Sequence, residues 1–233
     1  LDYYERIGIL PETMRNFLGL LGYSLPNDQE IFSLEEMLAS FDFGRLNLGG
    51  PVFDRQKLDW LNSQYLKKLS PQELAARVTQ TYLSPERLAA LAPLFLERIE
   101  RLDQFVPIAT YLLGGGKLEY TRDLLQKLSA KKGASEYLSD AEAQEILQRS
   151  AELLDTVRPW TAATLEAALT ALCTETGWKK GRVLSPIRAA VTARPNSPPL
   201  FETLEALGSA LTRARLRDAA EWIEANPTPA ASL

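Results

Sequence analysis

Signals for the start of a helix recur along the whole chain, and they restrict it to folds built mainly from helices. Ser33, Ser70 and Ser139 are each followed three residues later by glutamate. In this capping box each side chain accepts a hydrogen bond from the other residue's backbone N–H at the first turn of a helix. From 11 to 22 and from 88 to 105, apolar residues also recur at spacings of three and four, which places them on one helix face.

Alternation of β-branched residues, which would indicate strands, is almost missing, so we predict an all-α, multihelical fold with short loops. The segment from Pro195 to Pro199 is predicted to be an extended break, because proline and the residue before it disfavour helix. Residues 227–233 are predicted to form a disordered tail. The predicted helices cover 11–22, 33–38, segments after Asp54, Ser70 and Ser84, then 88–105, 139–156, 161–176, 185–191, 200–207 and 211–223.

The composition is that of a globular chain with few catalytic side chains. Of the 233 residues, 45% are hydrophobic and 24% are charged, which allows a substantial core. Histidine is absent and Cys173 is the one cysteine, which removes histidine-based acid–base chemistry, Ser-His-Asp triads and zinc sites together. Cys173 lies in an apolar helical pattern and is predicted to be a core residue. We predict no catalytic residue and no metal site.

Net charge and hydropathy limit the compartment and the partners. The net charge of −4 argues against a general binder of polyanions, but it leaves room for a locally basic face. No run of about 18 apolar residues predicts a transmembrane helix, and no signal peptide is visible. We therefore expect a cytoplasmic monomer with no membrane partner.

Three stretches match one known family in order and spacing. The first runs from Tyr4 to Gly22 and includes Gly-Ile-Leu-Pro-Glu at 8–12. The second runs from Ile31 to Asn62 and ends in Phe-Asp, Lys-Leu and Trp-Leu-Asn at 53–62, and the third includes Pro-Ile-Arg at 186–188 and Ser-Pro-Pro-Leu at 197–200. Together they resemble the tRNA-binding C-terminal part of the bacterial glutamyl-tRNA synthetases, class I enzymes that attach glutamate to tRNA(Glu) using ATP.

This resemblance implies a division of the chain and a role. Residues 1–62 would be a helical stem-contact segment, 63–106 and 107–226 two all-α anticodon-binding subdomains, and 227–233 a tail. The chain would recognise tRNA(Glu) without being an enzyme on its own, because the family's nucleotide-binding fold and both signature loops would precede Leu1. ATP and magnesium would bind there, so no cofactor is expected in this chain, and a separate catalytic half would be a further partner.

The resemblance also implies a set of anticodon contacts. Arg188, Ser197, Pro198 and Leu200 match family positions that contact anticodon bases. Arg98 matches a family arginine that reads the third anticodon base and helps to separate tRNA(Glu) from tRNA(Gln). An open alternative for Arg98 is a surface cation paired with a neighbouring carboxylate at Glu97, Glu100 or Asp103.

The residues themselves predict how these side chains are presented. Arg188 would lie in the first turn of a helix that begins at Ser185-Pro186, with an exposed head group that stacks on bases or binds their edges. Pro198 and Leu200 would form a flat apolar edge. The chain departs from the family at Ala193, where many relatives have glycine.

A cluster of cations between 179 and 217 predicts a basic face that follows the phosphate backbone, with a solvated face as the open alternative. It contains Lys179, Lys180, Arg182, Arg188, Arg194, Arg213, Arg215 and Arg217, against Glu202 and Glu205. Lys57 and the nearby Asn62 and Lys67 are further expected to approach the tRNA stem. A second hypothesis for the whole chain is a synthetase-derived module that binds a protein and no longer binds RNA.

Two further motifs are given structural interpretations. Gly114–Lys117 resembles part of a phosphate-binding loop, but Leu118 stands where serine or threonine is required and no strand is predicted before it. We interpret it as a turn between helices. Lys127–Lys132 is similar to the lysine-bearing loop of class I synthetases, and we interpret it as the solvated end of a helix.

Overall fold

A computed structural model of the chain describes residues 1–47, 49–50, 52–128 and 136–228. The chain divides into two compact units, Leu1–Ser84 and Pro85–Leu233. Helices dominate both units, which confirms the predicted all-α class. No helix among these residues is long and apolar enough to cross a membrane. The predicted boundaries at 62, 106 and 226 stay predictions.

The described residues of the first unit form five α-helices, and the local signals of this unit are placed as predicted. Ser33 and Ser70 form complete capping boxes, and the Asp54 side chain accepts a hydrogen bond from the Lys57 backbone N–H. The helices are α1 (Asp2–Arg6), α2 (Pro11–Gly22), α3 (Leu34–Ala39), α4 (Arg55–Leu66) and α5 (Pro71–Tyr82), with 3₁₀ turns at Pro26–Asp28 and Phe43–Arg45.

Two buried asparagines join the helices of this unit to its loops. Asn62 on α4 accepts hydrogen bonds from the Leu10 backbone N–H and the Thr13 hydroxyl, at 2.9 and 3.0 Å, and donates to the Gly8 carbonyl. Asn16 on α2 accepts from the Phe32 N–H and the Tyr65 hydroxyl. The Asn62 amide is therefore buried and used by the fold, which does not support the expected approach to the tRNA stem.

The second unit contains eight α-helices and one short strand pair within its described residues. They are α6 (Pro85–Leu91), α7 (Phe105–Leu113), α8 (Arg122–Gln126), β1 (Lys127–Leu128), β2 (Glu136–Tyr137), α9 (Asp140–Thr156), α10 (Ala162–Thr176), α11 (Lys180–Thr192), α12 (Leu200–Leu207) and α13 (Ser209–Ala225). β1 and β2 are antiparallel, with Lys127 opposite Tyr137. The long helices α9 and α13 pack against each other and form the largest interface of this unit.

Several local predictions hold in the second unit. The predicted bounds of α9, α10 and α12 are met, and Gly177 ends α10 in the left-handed conformation that glycine adopts without steric cost. Cys173 is buried, as predicted. The Gly114–Lys117 segment lies between α7 and α8, with a helix and no strand before it.

The predicted single helix from 88 to 105 is wrong. α6 ends at Leu91, and three 3₁₀ turns (Ala92–Leu94, Leu96–Arg98 and Leu102–Gln104) separate it from α7. Pro93 cannot donate the backbone hydrogen bond that would continue the helix. Ile99 and Arg101 are extended, so the apolar spacing from 88 to 105 is shared among several short elements.

Two other expectations change, and two fall partly outside the described residues. α11 begins at Lys180 and contains Pro186 in its interior, so Ser185-Pro186 does not start a helix. The buried side chain of Val183 explains the earlier start, since it belongs to the same apolar face as Ile187. Lys127 lies in β1 and not in a helix, while 129–132 of the lysine-rich run and 229–233 of the predicted tail lie outside the described residues.

Candidate nucleic-acid interface

The loop between α11 and α12 gathers most of the predicted anticodon contacts. The Arg188 side chain reaches from α11 into this loop, where its Nη1 donates to Ser197 Oγ and to the Pro198 carbonyl, each at 2.7 Å. Because α11 begins eight residues earlier, at Lys180, Arg188 lies in its third turn and not in a first turn. Its head group is half-buried and holds the loop, so the expected freely exposed position is wrong.

The apolar members of the predicted set face inward. Pro198 is buried, and Leu200, the first residue of α12, is 4% exposed. They do not form the expected exposed edge, because the chain turns into α12 at this point and carries both side chains into the core. Ser197 remains partly exposed.

Arg194 ties the beginning of the same loop to α7. Its Nη2 donates to the Pro107 carbonyl at 2.6 Å, and its guanidinium lies 5.7 Å from the centre of the Tyr111 ring. The preceding residue, Ala193, ends α11 with a φ of 48°, in the left-handed region that glycine enters more easily. The departure from glycine at this position therefore leaves the helix end in the conformation that glycine favours.

Arg98 is the exposed cation of this region. It ends the 3₁₀ turn Leu96–Arg98, and its side chain forms no salt bridge within the described part of the chain. Asp103, one of its proposed acidic partners, is bound by Arg101 at 3.1 Å. The Arg98 head group therefore keeps its donors for an external acceptor.

Electrostatics link these arginines around Tyr111, which is 3% exposed. Burial raises the pKa of the Tyr111 hydroxyl, while the nearby Thr203 hydroxyl and the charges of Arg194, Arg98 and Arg188 act in the opposite direction. Burial lowers the pKa of Arg188, the charge of Tyr111 opposes this, and that of Arg98 adds to it. Three guanidinium groups thus influence one buried phenol, and of these Arg194 contacts its ring.

Comparison with known proteins identifies the family of this helical region. A family model described as an anticodon binding domain matches residues 63–220. The chain belongs to this anticodon-binding family. A second model, described as the catalytic domain of class I tRNA synthetases (E and Q), matches residues 1–60.

Individual relatives agree with the anticodon-binding family. The chain is 35% identical to a glutamate–tRNA ligase of Stutzerimonas stutzeri over 95% of its length, and 36% identical to one of Acidothermus cellulolyticus over 99%. It spans 43% and 47% of these two relatives, which is about half of their length. The predicted resemblance to bacterial glutamyl-tRNA synthetases is therefore confirmed.

A solved structure shares the fold. The crystal structure of a glutamate tRNA ligase from Elizabethkingia meningosepticum in complex with its amino acid matches with a TM-score of 0.51 and 21% identity. The match covers 94% of this chain and 42% of that one. This likeness shows that the two proteins share a fold despite their low sequence identity.

The predicted basic face of the anticodon-binding region is partly neutralised. Arg182 pairs with Glu136 and, at 2.5 Å, with Glu142, and Arg213 pairs with Asp155. Arg215 is buried in α13 and donates to the carbonyls of Val191 and Gly114. These three side chains therefore have partners within the fold, so they do not add unpaired cations to the predicted basic face.

The remaining predicted cations differ in their availability. Lys179 and Lys180 are exposed at the beginning of α11, where no salt bridge engages them within the described residues. In the first unit, Lys57 pairs with Glu30 at 2.6 Å. Sequence reasoning missed Tyr111, because a tyrosine at helical spacing on an apolar segment has no signal that separates it from a core residue.

Proposed function

We propose that this chain is the tRNA-recognition part of a glutamate–tRNA ligase and that its second unit reads the anticodon of tRNA(Glu). The observation that carries the proposal is the match of the anticodon-binding family to residues 63–220, which contain the arginines around Tyr111. Arg98 and Arg194 present guanidinium groups, which bind phosphates and the edges of unpaired bases.

In this proposal the arginines have different tasks. Arg188 shapes the 194–200 loop through its bonds to Ser197 and Pro198, and its other N–H groups remain at the surface of the loop. Arg98 contacts a base, since it is exposed and outside any salt bridge of the described residues. Lys179 and Lys180 contact the tRNA backbone, and Arg182 and Lys57 do so only by giving up their carboxylate partners.

Binding experiments test the proposal. The chain is titrated with tRNA(Glu), tRNA(Gln) and a tRNA(Glu) carrying an exchanged anticodon, at low and moderate salt. We expect binding that weakens steeply with salt, as phosphate contacts require, and that changes with the anticodon. Equal affinity for all three RNAs would refute anticodon reading, and no binding at either salt concentration would refute autonomous recognition.

A pair of arginine variants locates the contact. Replacing Arg98 by alanine is expected to reduce affinity and anticodon discrimination by about 1–3 kcal/mol, the scale of a stacking or bidentate base contact. Arg101→Ala is the matched control, because Arg101 lies in the same segment but is engaged by Asp103. Equal effects of both variants would mean that Arg98 contributes only its charge.

The catalytic chemistry of the proposed parent enzyme is assigned outside this chain. ATP and magnesium would serve the formation of the bond between glutamate and tRNA. The described residues contain no group of three or more cysteine or acidic side chains that could hold a metal ion. In this proposal the chain is a cytoplasmic monomer whose partner is a separate catalytic half.

A protein-binding role is the second candidate, and exposed apolar side chains of the first unit favour it. Phe43 and Leu38 are 80% and 65% exposed, and the Phe41 ring stacks on Tyr23 and meets the Phe43 ring edge to face. A chain that captures a protein through this surface and shifts no tRNA would replace the leading proposal. Salt dependence separates the two, because apolar contacts lack the steep salt dependence of phosphate contacts.

A further inference from the structure

The Arg194 side chain contacts two residues of one helix. Pro107 and Tyr111 are four residues apart on α7 and so lie on the same helix face. The Pro107 carbonyl accepts a hydrogen bond from Arg194 Nη2, and the Tyr111 ring lies within 6 Å of the guanidinium, the range of a cation–π contact. The hydrogen bond and the ring contact together hold the Arg194 guanidinium against this face of α7.

Most N–H donors of the Arg194 guanidinium are not used by hydrogen bonds among the described residues. A guanidinium has five N–H donors. Among the described residues, the Arg194 guanidinium donates one hydrogen bond, to the backbone carbonyl of Pro107. No carboxylate pairs with Arg194 there either. A half-buried guanidinium with unused donors and without a counter-charge is a site for an anion.

The Tyr111 hydroxyl does not explain why a tyrosine lies here. The hydroxyl is buried and finds no partner with normal hydrogen-bond geometry in the described part of the chain. The ring, by contrast, contacts the Arg194 guanidinium directly. The ring is therefore the functional part of this side chain.

We propose that Tyr111 is a positioning residue whose ring holds Arg194 so that its guanidinium binds a backbone phosphate of single-stranded RNA. The inference rests on the proposed function and names a task within it. Arg194 makes the phosphate contact, and Tyr111 acts only through Arg194. The charges of Arg98 and Arg188, which reach Tyr111 as well, add to the attraction for the same anion.

A double-variant cycle on the full chain tests this proposal. Tyr111→Leu and Arg194→Ala are each expected to weaken tRNA(Glu) binding about 3- to 30-fold, the range of a cation–π contact of increasing burial. Each should reduce the slope of log affinity against log salt by about 0.7, the value for one phosphate of a single strand. The double variant should be no weaker than Arg194→Ala alone, while Tyr111→Phe should bind within about twofold of the unchanged chain.

The possible outcomes separate the proposals. If the unchanged chain binds tRNA but Tyr111→Leu weakens binding equally with and without Arg194, then Tyr111 is only structural and the inference fails. If the unchanged chain does not bind tRNA, the proposed function itself fails. Should Tyr111→Leu not fold, Arg194→Lys decides, because lysine keeps the charge but lacks the planar group. Binding by Arg194→Lys as tight as that of the unchanged chain would overturn the inference.

Discussion

Replacing Asn62 by alanine should open the first unit without any direct effect on RNA contacts. The amide of Asn62 satisfies the Leu10 N–H, the Thr13 hydroxyl and the Gly8 carbonyl, at 2.9, 3.0 and 3.1 Å. The variant loses three hydrogen bonds, each of which contributes about 0.5–1.5 kcal/mol net. It also leaves the buried Leu10 N–H without an acceptor, which costs about 1–3 kcal/mol unless water enters.

We therefore expect the free energy of unfolding of this unit to fall by about 2–4 kcal/mol, near the lower end of the summed range of about 2.5–7.5 kcal/mol, because water can reach some of the freed groups. Amide hydrogen exchange measures it, since peptides from α2 and α4 report on the first unit alone within the full chain. Protection of these peptides should fall about 30- to 1,000-fold, at a factor of ten for each 1.4 kcal/mol.

Asn47→Ala is the matched control, because Asn47 is an exposed asparagine of the same unit. Its effect should stay within about 0.5 kcal/mol, as for most surface substitutions. If Asn62→Ala lowers protection no more than the control does, the buried amide is not needed for the loop at 8–10. If Asn62→Ala keeps its protection but loses tRNA affinity, the original expectation of an RNA contact is restored.

Two further predictions concern the second unit. Arg215→Met should lower the free energy of unfolding of the second unit by about 3–5 kcal/mol, because two hydrogen bonds from a buried charged group are lost. Urea unfolding followed by circular dichroism measures this change. A reduced salt slope of tRNA binding in this variant would contradict the structural role. The pKa of Asp140 is lowered from its ordinary value, first by the Thr228 backbone N–H and then by the Thr228 hydroxyl. A carboxylate with a lowered pKa stabilises the folded state above its unfolded pKa, and it loses that effect as pH falls through the folded one. The Thr228 amide resonance should therefore move when acid protonates Asp140, at a pH below the ordinary range of a free aspartate, and Asp140→Asn should abolish this change. A resonance that stays constant throughout an acid titration of the folded protein would refute the contact.

The helix boundaries that sequence predicted well are those fixed by neighbours in the chain. A capping box needs two side chains three residues apart, so Ser33, Ser70 and Ser139 act wherever the helix later packs. The Gly177 helix end depends in the same way on one residue and its own φ. Sequence therefore determined the all-α class, most helix ends and the family.

The errors in helix bounds have two causes. In one case a buried helix face outweighs a local start signal, and in the other a local break signal was overlooked. Ser185-Pro186 reads as a helix start, but the buried face that includes Val183 continues the helix across it. Apolar spacing from 88 to 105 reads as one helix, but Pro93 interrupts the backbone hydrogen bonds. In the second case the sequence contains the break signal, Pro93, but the regular apolar spacing favoured one continuous helix.

The sequence by itself determined which cations this protein has, and the tertiary structure decided which of them remain available. Charge alone does not distinguish Arg98, Arg194 and Arg215, although Arg98 is exposed, Arg194 contacts the Tyr111 ring and Arg215 is buried. The acceptors and the ring that engage Arg194 and Arg215 lie between 24 and 101 residues away along the chain. A charge is a property of one residue, whereas its availability depends on every group that folding brings near it, and that is why composition could not reveal the site.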